Sequence, residues 1–411
     1  MASNLPTMQI AKRVRSLPQA LSIYMNQLVY SLNRRGYDIT TLSLGEAFFD
    51  IPLFDFAELD VKKGYHYSDS QGIPELRKKI AEFYALHYGA PVDLDAEILI
   101  SAGSKPIIFM AMQATLNPDD EVLIVEPAWL SYQEQARLVG ACPRFIPYDC
   151  AVSDFHKHYT RGTKMLVINN PNNPAGRLYG REELNDIYAE CRARGIHILV
   201  DESYSDFAAD GQFVSMAQIV PDKDGVIIVN SLSKNMGISG WRIGYAIAHH
   251  SVIRELLKIN QHLLTCAPTV LLQYVARYFD QIAAITLPQV RAVVEKRERV
   301  AAMLNRVGLE RLPGSSTFYF FVSAGDYPES SLELALHLLL NYNLAVVPGS
   351  AYGASTERFI RISIGTESEE RIEQALRLLK EELSYPSYVK EQVDQKLAEL
   401  GFSRFAETER G

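Results

Sequence analysis

The sequence has few cysteines and no long apolar run. Only four of its 411 residues are cysteine, and no two of them form a CxxC pair, which argues against a disulfide framework and favours a reduced, cytoplasmic protein. No apolar segment approaches the roughly 20 residues that a membrane-spanning helix needs. The basic segment 1–16 is not followed by the apolar core of a signal peptide. We therefore expect neither a membrane protein nor a secreted one.

Basic residues are also scarce for a nucleic-acid-binding protein. The 41 Lys and Arg residues are outnumbered by 49 Asp and Glu residues, which gives a net charge of −8, whereas such proteins usually carry a basic stripe. The sequence has no GxGxxG and no GxxxxGK[ST] motif, so neither a dinucleotide nor a nucleoside triphosphate is predicted. His156 and His158 have HxH spacing but no evident third ligand, so no metal site is predicted.

What the sequence does contain is a repeated alternation of apolar runs and helical patterns between residues 97 and 248. The apolar runs have little polar alternation, which is typical of strands that are buried on both faces. This pattern predicts an α/β fold with a mostly parallel seven-stranded sheet between helices. Such sheets bind ligands at the carboxyl ends of their strands. The predicted strands are Glu97–Ser101, Glu121–Val125, Arg144–Pro147, Met165–Ile168, His197–Val200, Val226–Val229 and Ile243–Ile247.

The regions on either side of this alternation predict a second, smaller α+β domain. An amphipathic segment covers residues 20–32, and a long helical region over residues 256–307 connects the two parts. Beyond it, the patterns predict strands at 317–322 and 359–364 and helices at 332–340 and 367–383. A further helix is predicted at 389–400, within the C-terminal segment 384–411.

The densest reactive chemistry lies in residues 230–242, directly after a predicted buried strand. Ser231, Ser233, Lys234 and Arg242 are the residue types that bind phosphate, and the glycines between them let the backbone approach a ligand closely. Taken alone, this segment also fits an ordinary Gly/Ser loop with solvated charges.

Three other loops that follow predicted strands carry polar groups. Asp201 suits either a helix N-cap or a partner for a protonated ring nitrogen, and Tyr204 suits either an ordinary half-buried position or a hydrogen bond to a cofactor oxygen. Asn173 lies in a segment rich in Asn-Pro turns, yet its amide can also reach a ligand. At the start of a predicted helix, free N–H groups form an anion-binding site, and the residues there are Gly103, Ser104 and Lys105.

Together, the loops resemble those of the fold-type I pyridoxal-phosphate-dependent aminotransferases of class I/II. The resemblance covers roughly residues 20–383, and its motifs lie at Tyr67 and residues 72–77, 173–176, 201–204, 231–242 and 361–363. It implies two domains, with the smaller one built from both chain ends. The expected bounds are 1–43 for an N-terminal segment of the small domain, 44–285 for the large cofactor-binding domain, and 286–411 for the small domain with a C-terminal extension.

The resemblance implies transfer of an α-amino group between an amino acid and a 2-oxo acid through Schiff-base and pyridoxamine phosphate intermediates. By this resemblance, Lys234 forms the Schiff base with pyridoxal 5′-phosphate and then moves the substrate Cα proton. Asp201 keeps the pyridine nitrogen protonated. Asn173 and Tyr204 hydrogen-bond the ring oxygen, and Asn173 also borders the substrate.

Further roles follow from the same resemblance. The cofactor phosphate is expected to be held by Gly103, Ser104, Lys105, Ser231, Ser233 and Arg242. Trp129 is expected to stack on the cofactor ring and to border the substrate. Arg361 matches the arginine that binds the substrate α-carboxylate with two parallel hydrogen bonds, and Gly45 matches a segment that closes over the substrate. Tyr67 matches a tyrosine that reaches the neighbouring subunit's phosphate, which implies a homodimer with shared sites.

Two other functions stay open at this point. The first alternative is a pyridoxal-phosphate-dependent lyase or eliminating synthase that acts on a β-substituted amino acid, although Tyr204 in the Asp-Glu-Ser-Tyr motif favours transamination. The second is a binding module of the kind found in transcription factors with an aminotransferase-like domain. Such proteins need an attached DNA-binding domain, and the resemblance leaves only about 28 residues, 384–411, outside it at the C-terminal side.

Overall fold

The computed structural model describes residues 9–15 and 17–405. Its strands are β1 (Thr40–Thr41), β2 (Ile98–Ser101), β3 (Glu121–Val125), β4 (Cys142–Ile146), β5 (Thr163–Asn169), β6 (His197–Asp201), β7 (Val226–Ser231), β8 (Gly244–Ala248), β9 (Tyr319–Ser323), β10 (Leu344–Ala345), β11 (Val347–Pro348) and β12 (Phe359–Ser363). Its α-helices are α1 (Lys12–Arg15), α2 (Leu21–Arg34), α3 (Val61–Gly64), α4 (Pro74–Tyr88), α5 (Ser104–Thr115), α6 (Ser131–Leu138), α7 (Arg181–Ala193), α8 (Met216–Ile219), α9 (His250–Leu263), α10 (Thr269–Val307), α11 (Ser331–Tyr342), α12 (Glu369–Ser384) and α13 (Lys390–Leu400).

The predicted α/β fold class is confirmed. The central sheet has seven strands in the order β2-β8-β7-β6-β5-β3-β4. β8 runs antiparallel to both of its neighbours, and the other pairs are parallel. The inner strands are buried along nearly their whole length because their Val, Ile and Leu side chains face helices on both sides. Because they run in the same direction, the carboxyl ends of β2, β3, β5, β6 and β7 lie at one edge of the sheet.

A second, smaller unit of structure combines residues from both ends of the chain. β9, β11 and β12 form an antiparallel sheet in the order β11-β12-β9, and β1 pairs with β10 in parallel. Met25 and Leu28 of α2 belong to the same apolar core as Phe320 of β9 and Leu339 of α11. The domain bounds 1–43, 44–285 and 286–411 stay a prediction, and the outermost residues of the first and last ranges lie outside the described residues.

The long helical region predicted at 256–307 is two helices, α9 and α10, separated by residues 264–268. Thr265 has a positive φ of 69°, and Pro268 precedes the first residue of α10. Proline disfavours a helical conformation in the residue before it, so the chain breaks here although the apolar pattern continues. α10 then runs for 39 residues and packs against α4 and α12. α10 thereby contacts both α4, beside the central sheet, and α12, in the smaller unit.

The C-terminal segment packs against α2. The Tyr24 hydroxyl donates to the Ser403 carbonyl oxygen at 2.9 Å, and the Tyr24 ring lies 6.2 Å from the Phe402 ring and 5.3 Å from the Phe405 ring. Arg35 donates to the Glu399 carbonyl oxygen at 3.0 Å. These contacts hold α13 and the residues that follow it against α2. Within residues 9–15 and 17–405, no helix is both long and apolar enough to cross a membrane.

Candidate active site

A cavity of about 380 Å³ lies at the sheet edge where the parallel strands end. Ligands of open α/β sheets bind at this edge because the loops after the strands converge there. Residues of α2, of the segment after β1, and of β9 and β12 complete its walls. Its charged lining residues are Glu46, Lys105, Asp201, Lys234, Arg242 and Arg361. Four cationic side chains against two carboxylates favour an anionic ligand.

Lys234 follows β7 and extends into this cavity. Its Nζ donates to the Gly45 carbonyl oxygen at 2.7 Å. The pKa of Lys234 is lowered to about 8, mainly by burial and also by the Arg361 and Arg242 charges, while the Glu46 and Asp201 carboxylates oppose this shift. A lysine with a lowered pKa has a neutral amine at moderate pH, and this is the form that acts as a nucleophile or base.

Asp201 is the last residue of β6 and is only 6% exposed. One carboxylate oxygen accepts a hydrogen bond from the Tyr132 hydroxyl at 2.7 Å, and the other accepts from the Ser203 backbone N–H at 3.0 Å. Burial raises the pKa of Asp201, and the hydrogen bonds from Ser203 and Tyr132 oppose that shift. These two donors orient the carboxylate and favour its charged form inside the protein.

Arg361, Asn173 and Tyr204 form a continuous hydrogen-bonded group. Arg361 donates through Nη1 to the Asn173 Oδ1 at 3.3 Å and through Nη2 to the Ser43 carbonyl oxygen at 2.6 Å. Because a guanidinium group only donates, Asn173 must turn its oxygen toward Arg361. Its Nδ2 therefore donates to the Tyr204 hydroxyl, at 3.2 Å. The buried Nε of Arg361 has no partner in the described part of the chain and is left for a ligand.

The start of α5 forms a second part of the cavity wall. Gly103 precedes the helix with a φ of 96°, and a Cβ at this position would collide with the Arg242 guanidinium group. Only glycine combines this conformation with so close an approach. Arg242 therefore lies beside the free N–H groups of the first turn of α5. Lys105 lies 4.8 Å from the centre of the Trp129 ring, and burial, with the Arg242 charge, lowers the pKa of Lys105.

The structure brings most of the predicted site residues to this one cavity. The two predicted residues that do not line it are Gly103, which touches Arg242, and Tyr67, which is 84% exposed. The individual roles of Gly103 and Tyr67, like those of the residues that line the cavity, remain predictions. The predicted residues that line the cavity are Gly45, Ser104, Lys105, Trp129, Asn173, Asp201, Tyr204, Ser231, Ser233, Lys234, Arg242 and Arg361.

Sequence reasoning did not assign a role to several residues of the cavity. Tyr132 donates to Asp201, and its only signal is its position three residues after Trp129. Tyr319 and Tyr352 both lie close to Arg361, with ring centres 4.4 Å and 5.5 Å from its guanidinium carbon. No motif marks these two tyrosines. Ser22 and Asn26 of α2 also line the cavity.

The arrangement has a defined chemical character. It combines a buried amine, a buried carboxylate at the end of a neighbouring strand, a helix start with free N–H groups and a guanidinium group with a free donor. On a seven-stranded, mostly parallel sheet, these features fit the class of fold-type I pyridoxal-phosphate-dependent enzymes.

The comparisons with known proteins agree with this class. The family model for aminotransferase class I and II matches residues 55–379, and the chain belongs to this family. It is 32% identical to a probable aspartate/prephenate aminotransferase of Aquifex aeolicus, over 91% of this chain and 98% of the relative. It is 31% identical to aromatic-amino-acid aminotransferase 2 of Thermococcus litoralis, over 82% and 90%. The solved structure of Thermus thermophilus aspartate aminotransferase with maleate matches with a TM-score of 0.83 and 26% identity, over 91% of this chain and 100% of that one.

The chain is therefore an aminotransferase. Its activity is the pyridoxal-phosphate-dependent transfer of an amino group between an amino acid and a 2-oxo acid, as the match to the family and to its relatives shows. The lyase alternative is not favoured, because the relatives named above are all aminotransferases.

Proposed function

We propose that this aminotransferase holds pyridoxal 5′-phosphate in the cavity at the sheet edge and accepts amino donors with acidic or aromatic side chains. The observation that carries the proposal is the meeting of Lys234, Asp201 and the free Nε of Arg361 in one cavity. Trp129 and Tyr352 supply aromatic walls. The relatives are named as a probable aspartate/prephenate aminotransferase and an aromatic-amino-acid aminotransferase, and aspartate and aromatic amino acids in these names support the choice of donor class.

The residues of the cavity fit this cofactor. A phosphate dianion is bound by helix N-terminal N–H groups, hydroxyls and guanidinium groups. The close contact of Arg242 with Gly103 puts such groups side by side, because any larger residue at 103 would displace Arg242. The residues proposed to hold the phosphate are Gly103, Ser104, Lys105, Ser231, Ser233 and Arg242.

When bound, pyridoxal phosphate supplies an aldehyde that takes up the amino group and a ring that accepts electrons from the substrate. Lys234 would hold the cofactor through that aldehyde and would supply the base for the substrate Cα proton. Asp201 would keep a proton on the ring nitrogen. Asn173 and Tyr204 would hydrogen-bond the ring oxygen, and Trp129 would pack on the ring face. Arg361 binds the substrate α-carboxylate, and the Gly45 backbone, Trp129 and Asn173 border the substrate.

Single-turnover reactions with a panel of amino acids test the proposed donor class. The protein is loaded with pyridoxal phosphate and mixed with aspartate, glutamate, phenylalanine, tyrosine, alanine or lysine in separate reactions. Acidic or aromatic donors are expected to convert the cofactor fastest, with one equivalent of 2-oxo acid released per site. Fastest conversion with alanine or lysine would contradict the proposed specificity without affecting the aminotransferase activity.

Arg361→Lys is expected to raise the KM for the amino donor. The substitution keeps the positive charge but loses the planar group that makes two parallel hydrogen bonds to a carboxylate. Loss of a hydrogen bond to a charged group corresponds to roughly a tenfold to hundredfold rise in KM, with a smaller change in kcat. Arg358→Lys, at an exposed position just before β12, is the matched control. An unchanged KM in the Arg361 variant would contradict the carboxylate-binding role.

We also propose a homodimer in which Tyr67 reaches the neighbouring subunit's site. Tyr65 and Tyr67 are 78% and 84% exposed, which is unusual for large aromatic side chains. Their loop is tied to the phosphate side of the cavity: Asn260 donates to the Ser70 carbonyl oxygen at 2.7 Å and accepts from the Ser101 hydroxyl at 2.7 Å. A side chain that extends outward from this loop is well located to enter a second subunit.

Mixing two inactive variants tests the shared site. Tyr67→Ala and Lys234→Ala subunits are unfolded together and refolded, so that hybrid dimers form. If Tyr67 serves the partner, each hybrid contains one site with both Lys234 and Tyr67 intact, and activity returns. Activity no higher than that of the separate variants, together with a sedimentation mass of one subunit, would contradict the proposal.

A cytoplasmic location is proposed as well. All four cysteines of the sequence are free in the structure, as is usual in a reducing compartment. Cell fractionation followed by an activity assay checks this proposal, with activity expected in the soluble cytoplasmic fraction.

A further inference from the structure

Tyr319 lies between Tyr204 and Arg361 in the proposed site. It is the first residue of β9, it is fully buried, and it lines the cavity. Its hydroxyl is 3.0 Å from the Tyr204 hydroxyl, and its ring centre is 4.4 Å from the Arg361 guanidinium carbon. It therefore touches one residue proposed to contact the cofactor and another proposed to bind the substrate carboxylate.

The Tyr204 hydroxyl oxygen can accept a second hydrogen bond besides the one from Asn173. A phenol has a single proton to donate and two lone pairs with which to accept. Asn173 occupies one lone pair, because Arg361 forces its Nδ2 toward the Tyr204 oxygen. If Tyr319 donates to the other lone pair, both acceptor positions of Tyr204 are filled. Its own proton is then free for a ligand.

Charge favours Tyr319 as the donor of this pair. Burial raises the pKa values of both phenols, so both keep their protons at neutral pH. Arg361 opposes the rise in pKa of both phenols, and Glu46 adds to the rise for Tyr319. Because the Arg361 guanidinium group lies directly against the Tyr319 ring, it is the largest opposing influence on the Tyr319 pKa, which favours the Tyr319 O–H as the donor. The charged and titratable groups that act on Tyr204 are Asp201, Tyr319 and Arg361.

We propose that Tyr319 is a positioning residue that donates to Tyr204 and thereby directs the single Tyr204 proton at the oxygen of the cofactor ring. This inference rests on the proposed contact of Tyr204 with the cofactor. The hydroxyl and the ring of Tyr319 have separable tasks: the hydroxyl acts on Tyr204, and the ring supports Arg361 by a cation–π contact.

The Tyr319→Phe substitution tests the hydroxyl. Without the donated hydrogen bond, Tyr204 becomes a weaker donor because hydrogen bonds in a chain strengthen one another. The anionic ring oxygen is then less stabilised, and the pH midpoint of the absorbance change of the bound cofactor is expected to rise by about 0.5 unit. The kcat/KM value is expected to fall between about twofold and tenfold. The KM for the amino donor stays the same, because phenylalanine keeps the ring under Arg361. In Tyr319→Leu, by contrast, that KM rises.

A double-mutant cycle separates action through Tyr204 from a general structural effect. In a Tyr204→Phe background, Tyr319→Phe is expected to cause no further shift of the midpoint, because the residue through which it acts is gone. Tyr327→Phe serves as the control. It removes the hydroxyl of another buried tyrosine of the small unit, which bonds to Glu382 far from the cavity, and it is expected to leave the midpoint unchanged.

The possible results are distinct. A fall of the midpoint in Tyr319→Phe would mean that Tyr204 donates to Tyr319, and it would overturn the inference. Additive shifts in the double variant would also overturn it. If Tyr204→Phe shifts the midpoint but Tyr319→Phe does not, only the inference about Tyr319 is overturned. If Tyr204→Phe has no effect either, the proposed role of Tyr204 fails together with it.

Discussion

Replacement of Lys234 by alanine is expected to lower the rate of amino-group transfer by about 10⁴-fold, the upper range for removal of a general base. The variant loses the amine that is proposed both to bond to the cofactor aldehyde and to move the Cα proton. Borohydride treatment is expected to fix pyridoxal phosphate to the peptide that contains residue 234 in the unmodified protein. The variant is expected to remain unlabelled at that peptide.

The pH dependence of cofactor capture provides a second measurement of the same lysine. Burial lowers the pKa of Lys234 to about 8, and only the neutral amine attacks an aldehyde. When cofactor-free protein is mixed with pyridoxal phosphate, the rate of capture should therefore rise with pH and level off above a midpoint near 8. Glu46 stabilises the ammonium form, so Glu46→Gln should move this midpoint to lower pH.

The matched control for Lys234→Ala is Lys258→Ala. Lys258 is on α9, its side chain is 60% exposed, and it pairs with its helical neighbour Glu255. This variant is expected to keep full activity and full labelling. Labelling of a Lys234→Ala protein at another lysine, with retained transfer, would show that the lysine had been assigned wrongly.

Asp201→Asn is expected to lower kcat by about 10²- to 10³-fold, as is typical when a preorganised electrostatic group is removed from an active site. The amide is nearly the same size as the carboxylate, and it can still accept from the Ser203 N–H while Tyr132 turns to accept from its NH₂ group. The fold should therefore persist. An amide has no negative charge, however, and does not hold a proton on the ring nitrogen.

Asp210→Asn, at an exposed position in the loop after β6, is the control for this substitution. The measurement is the single-turnover rate with a saturating amino donor, with circular dichroism to compare the folds. A decrease of less than about threefold in the Asp201 variant would be far below the effect of losing such a group. That result would leave the carboxylate with a structural role only.

The sequence predicted the central sheet well because its strands are buried on both faces. The run predicted at 197–200, for example, lies within β6, His197–Asp201. The break at residues 264–268 was not predicted, because leucines continue the apolar pattern through Leu263 and Leu264. The positive φ of Thr265 has no counterpart in that pattern. Local periodicity thus predicts which segments are buried better than it predicts where they end.

The residues of the candidate site also differ in whether the sequence could predict their placement. The placement of residues at or just after strand ends, such as Asp201 and Lys234, was predictable because sheet topology brings strand ends together. Tyr319 was not, because its contact with Tyr204 joins residues that are 115 positions apart and depends on how β9 packs against the loop after β6. The register of β9 with β12 also decides that Tyr319 shares a face with Arg361. Neither relation is encoded in a short motif.

The packing of the C-terminal segment on α2 has a consequence for how this enzyme can diverge from its relatives. The family model matches residues 55–379, but Ser22, Asn26, Gly45 and Glu46 line the cavity from outside that region. α2 carries Ser22 and Asn26, and the C-terminal segment holds this helix through the hydrogen bond from Tyr24 to the Ser403 carbonyl oxygen. Substitutions at Ser22 and Asn26 of α2 can therefore reshape this wall of the cavity while the residues proposed to bind the cofactor stay unchanged, whereas changes at Gly45 or Glu46 also act on Lys234.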